Sequence, residues 1–157
     1  MRGIVILPLV IAAALVVCGC GSSPKKTFGA LKDAAVAKDA KVIWANITPE
    51  TQADLAKRQA SDGATSQSSA PDKGLPYLET LTSGLGTEAI EYIKTLRVGE
   101  VSASGDTARM SVTSWRFGKN NRTLVFRKVD GKWKWDGRDI LKLYIENKNN
   151  LEFMEGF

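Results

Sequence analysis

The chain has 157 residues, 22 Lys+Arg against 17 Asp+Glu for a formal net charge of +5, and no histidine. Without histidine there is no Ser-His-Asp or Cys-His arrangement, no His-ligated zinc and no imidazole acid or base, so any catalysis would fall to Asp, Glu, Lys or Tyr. A glycine-rich phosphate loop, a Walker-type Gly-Lys-Ser/Thr and an EF-hand loop are also missing, and no catalytic residue, metal ligand or cofactor is predicted.

Residues 1–23 read MRGIVILPLVIAAALVVCGCGSS. One positive charge at Arg2 precedes an apolar run, Ile4–Val17, that is short for a membrane span. Gly19-Cys20 after that run resembles the lipobox of bacterial lipoproteins, in which a small residue stands before the acylated cysteine. Val17 before Cys18 is too bulky for that place, so cleavage is expected after Gly19. The resemblance implies palmitate-type acyl chains on Cys20 and an exported protein anchored to the cell membrane, the outer one where the organism has one. An ordinary secretory signal, or an uncleaved anchor, is the competing reading of the same run. The expected division is a signal peptide at 1–19, a lipidated tether at 20–24 and a single domain at 25–157. Loss of residues 1–19 removes Arg2 alone, leaving 138 residues with 21 Lys+Arg against 17 Asp+Glu. That length suits one domain with a real core. With Cys20 acylated, neither a disulfide nor a thiolate metal site is available.

Ser23-Pro24 predicts a cap and first helical position for a helix to about Lys38, with Phe28, Leu31 and Ala35 on its apolar side. A short helix over Lys41–Asn46 is expected to carry Val42, Ile43 and Trp44 inward, and Thr48-Pro49 to start another through about Gln59. Residues 60–74 hold almost no large apolar side chain and predict a flexible loop. Helix resumes at Leu75–Ser83, breaks near Gly84 and Gly86, and restarts with Thr87 as cap, Ile90, Ile93 and Tyr92 facing the core. From Leu96 the period becomes two, the mark of half-buried strands. Leu96 and Val98, then Val101 and Ala103, are out of phase across Gly99-Glu100, which predicts a β-bulge. Turns are expected at Ser104-Gly105-Asp106, Asn120-Asn121 and, most strongly, Asp130-Gly131, giving a four-stranded antiparallel meander. Asp139 is expected to cap a final helix or strand over Ile140, Leu141, Leu143, Tyr144 and Ile145.

Helices first and an antiparallel sheet afterwards predict an α+β domain with helices packed on one face of a curved sheet. The order of a long first helix, Ala-Lys-Asp-Ala-Lys leading into an aromatic helix and Thr-Pro-Glu, then strands ending in Asp-Gly-Lys-Trp-Lys-Trp-Asp-Gly, resembles small bacterial lipoproteins with an NTF2-like (cystatin-like) cone. That resemblance implies a ligand-binding module, an isomerase-type enzyme or a protein with no activity of its own.

Two groups of residues could carry function. Between positions 115 and 138, Trp115, Phe117, Phe126, Trp133 and Trp135 are interleaved with eight basic residues and only two acidic ones, Asp130 and Asp136. Arg122, Arg127 and Lys134 are the candidate basic surface for an anionic envelope component; the bland alternative is buried aromatics and solvated charges on ordinary strands. Nucleic acid is not an expected partner of an exported protein. The second group is Glu100, with Tyr92 and Tyr77 as hydrogen-bond partners, in a cavity of the sheet. Strand alternation points Glu100 to the concave side, where it could act as a general base, while a bulge at Gly99 turns it to solvent beside Arg109. The expected function is a membrane-anchored binding or accessory module, with a carboxylate-dependent isomerase-like enzyme and a structural envelope protein without a pocket as alternatives.

Overall fold

The structure is a computed structural model that describes residues 22–61, 72–114 and 122–139. The expected signal segment with Cys20, most of the expected 60–74 loop, Trp115 to Phe117, the expected turn at Asn120-Asn121 and the segment after Asp139 lie outside the described residues. Helices α1 (Pro24–Ala37), α2 (Ala40–Asn46), α3 (Pro49–Ser61), α4 (Leu75–Ser83) and α5 (Thr87–Thr95) precede strands β1 (Leu96–Ser104), β2 (Thr107–Ser114), β3 (Arg122–Val129) and β4 (Lys132–Asp136). The helices pack against a four-stranded antiparallel sheet of order β1-β2-β3-β4 that does not close, so the expected α+β class holds.

Local chemistry fixes the helix ends. The Ser23 hydroxyl accepts the Lys26 N–H at 3.2 Å and Pro24 fills the first position, where a missing N–H costs nothing. At the other end of α1, Lys38 takes the left-handed conformation (φ 58°) usually left to glycine. That bend delivers Asp39, whose carboxylate caps α2 through the Val42 N–H at 3.1 Å. In α2 the buried residues are Ala40, Ile43 and Trp44, followed by Ile47, a stripe spaced three and four apart. Val42 lies off that stripe and is 39 % exposed, contrary to the expected inward placement. Gly86 rather than Thr87 holds the cap position of α5. Ile90 and Ile93 are only half-buried, and α5 has no fully buried residue, so this helix covers the core's margin rather than its centre.

The sheet is one-sided. Ala108, Met110, Val112, Leu124 and Phe126 are buried against Phe28, Leu31, Ile43, Trp44, Leu55 and Leu78. Phe126 and Met110 have no exposed surface at all, which puts the centre of the core under β2 and β3. Leu96, Val98 and Val101 of β1 are half-buried at its edge. Asp130 (φ 50°) and Gly131 (φ 76°) both adopt positive φ, the requirement of the expected two-residue hairpin between β3 and β4.

The start of the chain seals β4. The backbone N–H of Trp133 donates to Ser22 Oγ at 3.1 Å, and Thr27 Oγ1 donates to the Trp133 carbonyl at 3.0 Å. Ile47 forms a parallel bridge with Trp135, and the Thr48 N–H donates to the Trp135 carbonyl at 3.0 Å. Just beyond the strand, Gly137 N–H donates to the buried Thr51 Oγ1 at 3.1 Å. Ser22, Ser23 and Pro24 are therefore part of the fold.

Candidate functional site

Because strand side chains alternate, the pairing register sorts the basic residues by face. Phe126 stands opposite Ala108 and Trp135, and Leu124 opposite Met110; these positions face the helices. The other face carries Arg97 opposite Thr113, Arg109 opposite Ser102 and Val125, and Arg127 opposite Thr107 and Lys134. Ser111 and Thr123 complete a surface of hydroxyls and cations. Arg127 and Lys134 are thus brought together as neighbours. Arg122 is not: its partner is the buried Val112, so it belongs to the helix side.

Arg127 is also held in an ion pair. Its Nε donates to Asp136 Oδ2 at 2.9 Å, while Arg138 Nε and one of its terminal amines donate to the two oxygens of the same carboxylate at 2.8 Å each. Between two guanidinium groups the Asp136 side chain is only 7 % exposed. Hydrogen bonding from Arg138, with a further bond from Arg127, lowers its pKa to about 2 against the opposing effect of burial, and Asp136 in turn raises that of Arg138. Among the described residues, the part of the outer face without an ion pair is therefore centred on Arg97, Arg109 and Lys134. On the helix side, Lys128 places its ammonium 5.9 Å from the centroid of the Trp133 ring, a cation–π contact at the outer limit of range. Trp133 and Trp135 are half-buried against the core, so these aromatics pack rather than form an open platform.

The second candidate group is spread over three elements. The register of β1 jumps between Val98 and Val101, which places the expected bulge at Gly99-Glu100. Glu100 is exposed there, its backbone N–H donating to Ser111 Oγ at 2.7 Å. A Cβ on Gly99 would approach that Oγ to 2.5 Å, so the glycine is what lets Ser111 lock the bulge. Tyr77 is half-buried on α4 and Tyr92 half-buried on α5. Burial raises the Tyr92 phenol above its ordinary value and the positive charge of Arg122 opposes that rise. The structure thus associates Tyr92 with Arg122 and leaves Glu100 on the solvated bulge.

Among the described residues, no group of three or more His, Cys, Asp or Glu side chains could hold a metal ion, and no helix is long and apolar enough to cross a membrane. The Asp136 clamp was not singled out from sequence: Arg138 lies beyond the end of β4 at Asp136, so strand alternation does not point to the pair. No protein-family model, curated protein or solved structure matches the chain.

Proposed function

We propose that this protein is an exported lipoprotein of the cell envelope, anchored through Cys20 after cleavage behind Gly19, whose NTF2-like domain works as a binding or accessory module. The observation that carries the binding reading is the division of the sheet into a filled helix side and an outer face of hydroxyls and cations. An anionic envelope component is the partner that such a face suits, because Arg97, Arg109 and Lys134 supply charge while Ser102, Ser111 and Thr123 supply hydrogen bonds. The exposure of Glu100 weighs against the isomerase-like alternative, which needs a desolvated carboxylate. The start of α1 at Pro24, four residues beyond Cys20, supports a domain boundary immediately behind the cleavage site.

Two experiments test the two halves of this reading. In a bacterial host fed labelled fatty acid, the wild-type chain should take up label and Cys20→Ser should not; label retained by Cys20→Ser refutes the anchor. For the partner, purified full-length protein should bind polyglycerol phosphate at low salt and lose that binding as salt rises. Screening within about 8–10 Å makes such contacts salt-sensitive. Replacing Arg97, Arg109 and Lys134 together by Gln should weaken binding with little change in unfolding midpoint. Undiminished binding by that variant refutes the outer face as the site.

A further inference from the structure

The hydrogen bond between Ser22 and Trp133 limits how the domain can sit on a membrane. Ser22 is fixed to the β4 edge, and only Gly21 separates it from Cys20. At no more than about 3.6 Å per residue, the Cα of Cys20 can lie no farther than about 7 Å from that of Ser22. An acyl anchor on Cys20 therefore gives the domain almost no slack, and the surface around Ser22 and Trp133 is held at the level of the lipid headgroups.

That surface is basic. Lys25 and Lys26 are exposed in the first turn of α1, directly after the Ser22-Ser23 attachment. Lys132 precedes Trp133 in β4, and Lys128 lies over the Trp133 ring; both lysines are exposed. Asp130 at the hairpin tip and Asp106, whose carbonyl accepts the Lys128 N–H at 2.8 Å, are the acidic residues nearby. Four lysines thus surround the point where the chain leaves the fold toward Cys20, against two aspartates.

Resting on the lipoprotein reading above, we propose that the α1 start and the β3–β4 hairpin form a docking face for an anionic lipid bilayer, with Lys25, Lys26, Lys128 and Lys132 against the headgroup phosphates. The anchor supplies attachment and the lysines supply orientation. Each lysine close to an anionic leaflet contributes about a fivefold preference for the docked orientation. Lys132 marks the hairpin end of the outer face, and the rest of that face, with Arg97 and Arg109, then stands clear of the membrane, open to a partner in the envelope.

The test uses the processed full-length protein in vesicles carrying a doxyl-lipid quencher. The vesicles are either phosphatidylcholine alone or contain about one third phosphatidylglycerol, enough to give an anionic surface. A maleimide fluorophore reports from Lys25→Cys, beside the anchor, or from Ser83→Cys. Ser83 ends α4 and accepts Lys38 Nζ at 3.1 Å, so it lies at the far end of α1, about 20 Å from Lys25 at 1.5 Å per residue. On anionic vesicles the label at 25 should be quenched at least threefold more than the label at 83. On phosphatidylcholine alone and at about 1 M salt, where the screening length is about 3 Å, the anchor still keeps position 25 near the headgroups. The domain then tilts freely, so position 83 gains access to the quencher and the difference should shrink by at least half. Lys128→Gln with Lys132→Gln should reduce it by more than half.

Equal quenching at the two positions, or equal behaviour on neutral and anionic vesicles, overturns the docking face. Wild-type protein provides the separate control, because an acylated Cys20 has no thiol to label. Fluorophore uptake by wild type refutes the anchor itself, and the docking face with it.

Discussion

The two edges of the sheet solve the same problem in opposite ways. A terminal strand presents unpaired backbone groups that invite pairing with other chains. At β4 these groups are satisfied by the protein: Ser22, Thr27, Thr48 and the Ile47 bridge all engage Trp133 or Trp135. At β1 no strand pairs with the free edge among the described residues, and the strand is instead bulged, polar and largely exposed. A covered edge can bury tryptophans and tolerate a regular ladder. An open one is kept soluble by irregularity and by Ser102, Ser104 and Glu100. Stability is therefore expected to reside on the β4 side, and tolerance to substitution on the β1 side.

The largest expected effect tests the packing behind β4. Trp44 on α2 is nearly buried in the core, and Trp44→Ala should lower unfolding free energy by about 3–5 kcal/mol in a denaturant titration. An unchanged midpoint breaks the assignment of stability to this side. Next comes Thr51, whose buried hydroxyl accepts Gly137 N–H and lies 3.0 Å from the Thr48 hydroxyl. Thr51→Ala should cost about 1–3 kcal/mol by leaving buried groups without partners, and Thr51→Ser should recover most of it. If serine is as damaging as alanine, packing of the methyl group, not the hydrogen bond, holds this corner.

The Asp136 clamp gives the comparison a pH axis. A carboxylate with a folded pKa of about 2, below its ordinary value, contributes stability that is present above the ordinary carboxylate range and is lost as pH falls toward 2. Because both arginines are nearly half exposed, solvent screening reduces that contribution to about 1–2 kcal/mol at neutral pH. Asp136→Asn should lose that amount at pH 7 and unfold like wild type near pH 2; a constant difference across that window rules out the ionic origin.

The smallest effects belong to β1. Gly99→Ala should cost about 1 kcal/mol by forcing Ser111 Oγ aside, and Ser111→Ala in the same chain should relieve part of that cost in a double-mutant cycle. Ser102→Lys, on the exposed outer face, should stay within about 0.5 kcal/mol of wild type. A large loss there means that β1 is as tightly built as β4.

What could be read from the sequence follows the range of the interactions involved. Ser23-Pro24, Leu75–Ser83, the Gly99-Glu100 phase slip and Asp130-Gly131 are set by residues within a turn or two of each other, and each appears where the pattern put it. The misplaced residues depend on finer geometry or on distance. Val42 sits between Lys41 and Ile43 in a helix of 7 residues, where one step around the axis decides between core and water. Arg122 shares the parity of Leu124 and Phe126, so its place on the helix side was legible, but net charge drew it into a group with Arg127. The seal on β4 was not legible, because Thr51 and Gly137 are 86 positions apart and Ser22 and Trp133 are 111 apart. Nothing local in either segment names its partner.

Those long separations also set an order of events. A chain made from its N-terminus has all of α1 long before β4 exists, yet the contacts that fix Ser22 and Thr27 require Trp133. The first helix can pack on α2 early, but the bonds that hold Ser22 and Thr27 form only when the last hairpin arrives. The opening residues of the domain are thus among the last to be locked in.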